Sequence, residues 1–287
     1  MKKYLLLIFI FTICLLTSGC KQDAMDDISI VTTNYPNEFI TKKLYGKHAN
    51  IISIYPDGVD IKNYKINKKQ KLEYSNKDLF IYNGKIEKES NLAFDLLDLN
   101  QNLKIIDTAY VLETDYSPEE LWLNPASLLM MAQNVRLGLE EYTNSVYLKK
   151  DINKAYDKLK ISLSELDADY RLMVKNTNKK TIVVGNSALK YLEKFDLEVI
   201  CIDNDVTNKD INRVSELIDD EKINYIYTFK GDKLNSATKN LLKEYPNVKI
   251  QTLNNLENIT DNDRSNKRDY ITIMNSNLEL LKKELYQ

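Results

Sequence analysis

One long amphipathic segment, residues 145–176, constrains the architecture of this chain more than any other feature. Its apolar residues recur at intervals of three and four positions, the period of one helical face, at Ile152, Ala155, Tyr156, Leu159, Leu163, Leu166, Tyr170, Met173 and Val174. No glycine or proline interrupts the segment. At 1.5 Å per residue a helix of this length spans about 48 Å, which is longer than a small domain is wide. We therefore predict one continuous helix that is shared by two lobes.

The segments on either side of this helix alternate between short β-branched runs and amphipathic helical stretches. Such alternation is typical of parallel sheets with helical crossovers. We therefore predict an α/β protein with an N-terminal lobe at residues 28–143, a linking helix at residues 144–177 and a C-terminal lobe at residues 178–287. A coiled-coil arm that pairs with a second chain is the alternative. Because its heptad pattern lasts barely three repeats, we expect a monomer.

The first twenty residues predict export and lipid anchoring. Lys2 and Lys3 precede an apolar run, residues 4–16, which is too short to span a bilayer but suits a secretory signal. Residues 16–20 (Leu-Thr-Ser-Gly-Cys) resemble the lipobox of bacterial lipoproteins, in which the cysteine becomes acylated after cleavage. We expect a signal peptide at residues 1–19, a lipidated tether at residues 20–27 and anchoring to the outer face of the cell membrane through Cys20. An ordinary signal peptide with an incidental cysteine is the alternative.

Charge and cysteine content agree with a folded, exported chain. Without Lys2 and Lys3 the mature chain has 38 basic and 42 acidic side chains. This balance gives no electrostatic footprint for nucleic acid. Because Cys14 would leave with the signal peptide and Cys20 would carry lipid, Cys201 has no partner for an intramolecular disulfide.

The sequence shows no pattern that is typical of a catalyst. A Gly-rich phosphate loop, a Cys-x-x-Cys pair and a Gly-x-Ser-x-Gly motif are all missing. His48 is the one histidine, which nearly excludes a Ser-His-Asp or multi-histidine zinc catalyst. We expect no enzymatic activity, and we interpret His48, in a turn between a helix and a strand, as a solvated surface residue.

Short motifs along nearly the whole mature chain resemble one protein family. They occupy residues 31–36, 56–64, 78–84, 120–125 and 269–278. The second resembles a Pro-Gly-Val-Asp-Pro-His-Asp-Tyr loop and the fourth resembles His-Val-Trp-Leu-Asp-Pro. With the lipobox and the long helix, they resemble the zinc and manganese receptors of bacterial ABC importers, whose architecture is called TroA-like. The resemblance implies two Rossmann-like lobes in a periplasmic-binding-protein fold, an ABC permease as partner, and a divalent metal as transported ligand rather than as a resident cofactor.

The family's metal-binding positions are substituted in this chain. Its three histidine positions fall on Lys62, Glu120 and Asn186, and its carboxylate position falls on Asn254 or the neighbouring Asn255. Zinc and manganese need a deprotonated nitrogen or an anionic oxygen, which a lysine ammonium does not supply. Glu120 is then the one strong ligand among these positions.

Other oxygen ligands could compensate in part. Asp60, Asp203 and Asp205 follow predicted strands and could add carboxylates to the same cleft. Such a site would suit Mn²⁺ better than Zn²⁺.

The sequence leaves three functions open. The first is a solute-binding lipoprotein of an importer, for which the family implies divalent metal. The second is a receptor for an anionic or zwitterionic small molecule held by Lys62 and oriented by asparagines. The third is a surface adhesin or scaffold on the same fold.

Overall fold

The structure is a computed structural model that describes residues 25–177 and 179–286. The predicted signal peptide at residues 1–19 and the predicted lipid anchor at Cys20 lie outside the described residues. Within those residues, no helix is both long enough and apolar enough to cross a membrane.

The N-terminal lobe is built around a parallel four-stranded sheet of order β2-β1-β3-β4. Its strands are β1 (Ile28–Thr32), β2 (Ala49–Ser53), β3 (Leu79–Tyr82) and β4 (Lys104–Asp107). Its helices are α1 (Tyr35–Tyr45), α2 (Lys68–Ser75), α3 (Glu87–Leu99), α4 (Glu120–Leu123) and α5 (Pro125–Tyr142). The start of α1 illustrates the local chemistry, because the Asn34 side chain accepts the Asn37 N–H and Pro36 occupies the first turn.

The predicted linking helix is present as α6 (Val146–Lys175). The Ser145 side chain caps it by accepting the Leu148 N–H at 3.3 Å. Its buried face follows the predicted periodicity, with Leu148, Ile152, Leu159, Leu163, Leu166, Tyr170, Met173 and Val174 all buried. These residues belong to one apolar core that also contains Leu139 of the N-terminal lobe and Leu281 of the C-terminal lobe. The helix is therefore packed against both lobes.

The C-terminal lobe repeats the arrangement with a parallel sheet of order β6-β5-β7-β8. Its strands are β5 (Thr181–Val184), β6 (Glu198–Cys201), β7 (Tyr225–Phe229) and β8 (Lys249–Leu253). Its α-helices are α7 (Asn208–Asp219), α8 (Ser236–Glu244), α9 (Asp261–Ser265) and α10 (Tyr270–Leu285). The predicted fold class, two parallel sheets flanked by helices and joined by one long helix, is confirmed.

One helical segment of the C-terminal lobe is not an α-helix. The pattern at residues 188–194 predicts a helix, and Ser187–Phe195 forms a 3-10 helix. Over so short a segment the apolar spacing does not separate i→i+3 from i→i+4 hydrogen bonding.

The interpretation of His48 as a solvated residue is wrong. Its side chain is only 11% exposed, with Nδ1 3.1 Å from Asp26 Oδ1 and Nε2 3.2 Å from Asp151 Oδ2. Asp26 precedes β1 and Asp151 lies on α6. Both contacts are long-range, so the local turn sequence around His48 did not reveal them.

Candidate functional site

Segments that follow β1, β2 and β8 meet at the junction between the two lobes. The Tyr35 N–H donates to the Glu257 carbonyl at 3.0 Å, and the Gly58 N–H donates to the Ile259 carbonyl at 2.7 Å. Gly58 has a φ of 72°, a left-handed conformation that glycine adopts without strain. In α/β folds, ligands commonly bind beyond the carboxyl ends of parallel strands. We therefore expect a ligand site at this junction.

Lys62 lies in the loop after β2 and its side chain is exposed. Its backbone N–H donates to Asp60 Oδ1 at 3.0 Å, and the Asn63 amide donates to Asp60 Oδ2 at 2.6 Å. The hydrogen bond from Asn63 is the largest influence that lowers the pKa of Asp60, and the charge of Lys62 acts in the same direction. Asp60 is therefore an ionised, solvent-facing carboxylate beside the Lys62 ammonium.

Glu257 is the functional candidate that sequence reasoning missed. It faces the N-terminal lobe, because the charges of Asp60 and Lys62 both act on its carboxyl group. Burial raises the pKa of Glu257, Glu119 and Asp60 raise it further, and Lys62 lowers it. The residue before it, Leu256, is fully buried with a φ of 57°. This left-handed residue turns the chain after Asn254 and Asn255, the two asparagines that follow β8. Glu257, which comes directly after the turn, is the ionisable residue that reaches the junction.

A second carboxyl group on which the charge of Glu257 acts is Glu89, which is only 2% exposed. It accepts hydrogen bonds from Thr33 Oγ1 at 2.5 Å, Asn34 Nδ2 at 3.2 Å and the Asn83 N–H at 2.8 Å. Burial raises the pKa of Glu89 to about 8, the charge of Glu257 raises it too, and the bonds from Thr33 and Asn83 oppose the rise. In the sequence Glu89 looked like an ordinary residue in the first turn of a helix, where acidic side chains are common.

Lys88 fixes the loop that carries Lys62. Its Nζ donates to the Ile61 carbonyl at 2.9 Å and the Tyr64 carbonyl at 2.7 Å, and it lies 5.6 Å from the centroid of the Tyr55 ring. Its charge also lowers the pKa of Glu257. The junction therefore contains two lysines among its carboxylates.

Glu120, expected as the strongest metal ligand, is occupied by protein partners. It is only 1% exposed and accepts the backbone N–H groups of Asp115 at 3.3 Å, Tyr116 and Ser117 at 2.8 Å. Its Oε2 also lies 3.5 Å from Lys194 Nζ of the C-terminal lobe. Glu120 thus orders residues 115–117 and joins the lobes.

Asn186 lies in a separate depression of about 350 Å³ at the carboxyl edge of the C-terminal sheet, which Asp203 and Asp205 also line. Its Oδ1 accepts the Ala188 N–H at 3.0 Å, and its Nδ2 donates to Asp232 Oδ2 at 2.9 Å. The Asn186 amide therefore caps the 3-10 helix.

Asn254 and Asn255 are used in the turn after β8. Asn254 Oδ1 accepts the Leu256 N–H at 2.8 Å, and Asn255 Oδ1 accepts the Glu257 N–H at 3.2 Å. The Asn255 carbonyl also accepts Trp122 Nε1 of the N-terminal lobe at 2.8 Å. These two asparagines shape the turn that presents Glu257.

Lys62, Glu120, Asn186 and Asn254 each form hydrogen bonds with other residues. Among the described residues, no hydrogen bond or ion pair joins any two of Lys62, Glu120, Asn186 and Asn254. Within the same part of the chain, no three His, Cys, Asp or Glu side chains lie close enough to hold a metal ion. The charges of Lys62, Asp60 and Glu119 act on the carboxyl group of Glu257.

The chain is similar over most of its length to known proteins. A family model described as ZnuA, zinc-uptake complex component A periplasmic, matches residues 30–284. The chain is 26% identical to the zinc-binding lipoprotein AdcA of Streptococcus pneumoniae (strain ATCC BAA-255 / R6), over 98% of this chain and 61% of that relative. It is 22% identical to the high-affinity zinc uptake system protein ZnuA of Bacillus subtilis (strain 168), over 94% of this chain and 91% of that protein.

A solved structure of a relative has the same fold as this chain. The crystal structure of the Zn(II)-bound ZnuA-like domain of Streptococcus pneumoniae AdcA superposes with a TM-score of 0.72 at 25% identity, covering 91% of this chain and all of that domain. The chain spans about 61% of the length of the first curated relatives that it matches. Because the family model covers nearly all of the described residues, this chain belongs to the ZnuA family of solute-binding proteins.

Proposed function

We propose that this chain is the solute-binding component of an ABC importer, held at the outer face of the cell membrane by acyl chains on Cys20, and that its cargo is a divalent cation. The observation that supports the cargo most directly is the match of the zinc-uptake family model over residues 30–284. Glu257 at the lobe junction, on which the charges of Asp60 and Lys62 act, is the candidate residue to contact it. The protein acts as a monomer that hands its cargo to a permease.

The cargo site differs from a three-histidine site in the cation it favours. Carboxylate oxygens are hard ligands that suit Mn²⁺ better than Zn²⁺. The Lys62 ammonium repels any cation near Glu257, so metal has to displace or compensate a charge already present. We therefore expect weak binding of both metals, with Mn²⁺ less disfavoured than Zn²⁺.

Catalysis has no support at this junction. The Cys201 thiol, the thiol that the structure describes, lies on β6, and burial raises its pKa to about 12. A thiol with so high a pKa is a poor nucleophile at neutral pH. We therefore propose that the protein binds and delivers its cargo without a chemical step.

Calorimetry with Mn²⁺ and Zn²⁺ tests the proposal on the wild type, Glu257→Gln and the matched control Glu216→Gln. Glu216 is an exposed carboxylate on α7, far along the chain from the junction. We expect measurable Mn²⁺ binding that Glu257→Gln weakens about tenfold or more and Glu216→Gln leaves unchanged.

Two results would overturn the cargo assignment. Submicromolar zinc affinity in the wild type would show that the substituted positions do not weaken the site. Native mass spectrometry that finds an organic anion bound to the purified protein, with no metal binding, would identify a receptor for a small molecule instead.

A further inference from the structure

A groove lined by lysines lies at the amino end of the N-terminal sheet. It has a volume of about 760 Å³ and runs between α1, the turn before β2 and the linking helix α6. Its exposed lysines are Lys42, Lys43, Lys47, Lys154 and Lys158. We call this surface the basic groove.

Part of the groove's charge has no counter-charge in the protein. Lys42 pairs with Glu38, and Lys43 Nζ lies 3.1 Å from Asp269 Oδ2. By contrast, no ion pair involves the remaining three lysines among the described residues, namely Lys47, Lys154 and Lys158. Lys154 and Lys158 are four residues apart on α6, so they lie on the same helical face. The unpaired ammonium groups form a local excess of positive charge.

The polypeptide enters the fold beside this groove. Met25 is fully buried, and its carbonyl accepts a hydrogen bond from the Tyr45 hydroxyl. The next residue, Asp26, bonds to His48, and His48 also binds Asp151 on α6. Both His48 and Asp151 line the groove. These contacts fix where the chain emerges from the fold.

Chain length then limits how far the groove can lie from the membrane. Four residues separate Met25 from Cys20. The five residue steps between them reach at most about 18 Å when fully extended. If Cys20 carries acyl chains, Met25 is held within that reach of the headgroups. The basic groove adjoins this point, so the anchor would hold it near the bilayer.

We propose that the basic groove rests on anionic phospholipid headgroups of the outer leaflet, an inference that rests on the lipid anchor of the proposed function. The mature chain is acidic overall, with 38 basic and 42 acidic side chains, so attraction to an anionic surface has to come from a local patch. The groove supplies such a patch beside the anchor.

This contact would also set the direction in which the cargo site faces. His48 immediately precedes β2, and the loop that carries Lys62 follows the same strand. The groove and the junction therefore lie at opposite ends of the N-terminal sheet, about 16 Å apart along a five-residue strand. A receptor that rests on the groove turns its junction away from the membrane, which is the orientation for capturing cargo.

Amine-reactive labelling of the full lipoprotein in vesicles tests this orientation. Labelling rates are read by mass spectrometry of peptides, in vesicles of phosphatidylcholine alone and in vesicles that also contain phosphatidylglycerol. The test lysines are Lys47, Lys154 and Lys158, and the matched controls are the exposed Lys65, Lys68 and Lys69 beyond the carboxyl end of β2. We expect several-fold slower labelling of the test lysines only, only in anionic vesicles, and reversed by high salt.

A charge-reversal variant provides the second measurement, on the chain from residue 21 without lipid. This part contains every residue of the three apolar cores. Wild type should bind phosphatidylglycerol vesicles at low salt about a hundredfold more tightly than phosphatidylcholine vesicles, from three lysines near the surface. The triple variant Lys47→Glu, Lys154→Glu, Lys158→Glu should lose this preference, and the control Lys65→Glu, Lys68→Glu, Lys69→Glu should keep it.

Several outcomes would overturn the proposal. One is equal labelling of the groove lysines in both vesicle types, and another is equal loss of binding in both triple variants. A third is equal protection of the groove lysines by a soluble glycerol-phosphate polymer in neutral vesicles, which would identify a cell-wall polyanion as the partner instead. Failure of the proposed function would look different. A missing anchor appears as an N-terminal peptide without lipid mass, and a missing cargo appears in calorimetry while the vesicle results stand.

Discussion

Lys62 in the N-terminal lobe acts on Glu257 in the C-terminal lobe, and its positive charge lowers the pKa of a carboxyl group whose pKa burial raises. The Lys62 ammonium thus already offsets part of the negative charge of Glu257 that a bound metal ion would otherwise offset. Any cargo cation has to compete with this internal charge, which is a reason for weak and reversible binding at the junction.

Replacing Lys62 by histidine should strengthen zinc binding. Lys62→His removes the competing charge and supplies a neutral imidazole nitrogen, a preferred zinc ligand. Lys62 is exposed, so the fold should tolerate the change. We expect about tenfold or greater gain in zinc affinity by calorimetry. The control Lys65→His, in the same loop, should show no gain, and equal affinities of Lys62→His and wild type would show that Lys62 does not face the cargo.

Removing the Glu120 side chain should destabilise the fold rather than abolish metal binding. Glu120→Ala leaves three backbone N–H groups without their acceptor and removes one of the two carboxylates that pair with Lys194, the other being Asp115. We expect a loss of about 2–4 kcal/mol in the free energy of unfolding, measured with denaturant. Glu113→Ala, at an exposed position in the same connection, is the control. A stable Glu120→Ala protein that no longer binds metal would assign Glu120 to the cargo site instead.

Sequence patterns predicted those features that depend on local periodicity. The spacing of Leu159, Leu163 and Leu166 predicted α6, because a helical face is a local property of the chain. The alternation of strands and helices likewise predicted both parallel sheets.

The site was less predictable, because it depends on how distant segments meet. Asn254 and Asn255 follow β8 directly, but the left-handed Leu256 turns the chain and brings Glu257 to the junction. His48 was misinterpreted for a related reason, since its partners Asp26 and Asp151 come from other parts of the chain. Local sequence carries little information about such contacts.

The lipid anchor predicts a simple separation of protein between membrane and medium. Cys20→Ser should release the protein from the membrane, because buried acyl carbons contribute about 0.8 kcal/mol per methylene. Cys201→Ser, which changes the thiol on β6, should stay in the membrane fraction. Fractionation of cells followed by immunoblotting checks both variants. A Cys20→Ser protein that stays membrane-bound, together with wild type that carries no lipid, would contradict the lipobox interpretation.

Cargo binding should change the shape of the molecule only slightly. The continuous helix α6 packs against both lobes, and hydrogen bonds from Trp122 to Asn255 and from Tyr270 to the Trp122 carbonyl cross the junction. Large closure would disrupt these contacts and bend the helix. We expect small-angle scattering curves with and without saturating Mn²⁺ to give nearly the same radius of gyration. A marked decrease on adding Mn²⁺ would show that the lobes close by a hinge.

Glu89 makes stability depend on pH near neutrality. Burial raises the pKa of Glu89 from 4.5 to about 8 in the folded protein, so the folded state binds more protons than the unfolded state between these values. The contribution of Glu89 to the free energy of unfolding should therefore be greatest below about pH 4.5. This contribution should fall as the pH rises towards 8 and level off above pH 8. Glu257, whose pKa burial also raises, contributes in the same direction.

Denaturation at pH 5.5 and 8.5 measures this dependence in the wild type, Glu89→Gln and Glu87→Gln. The wild type should lose on the order of a few kcal/mol in the free energy of unfolding between the two pH values. Glu89→Gln should lose much less, because its amide stays neutral in both the folded and unfolded states. Glu87 is exposed on the same helix, so Glu87→Gln should behave like the wild type. An equal pH dependence in all three proteins would show that Glu89 is ionised in the folded state across this range.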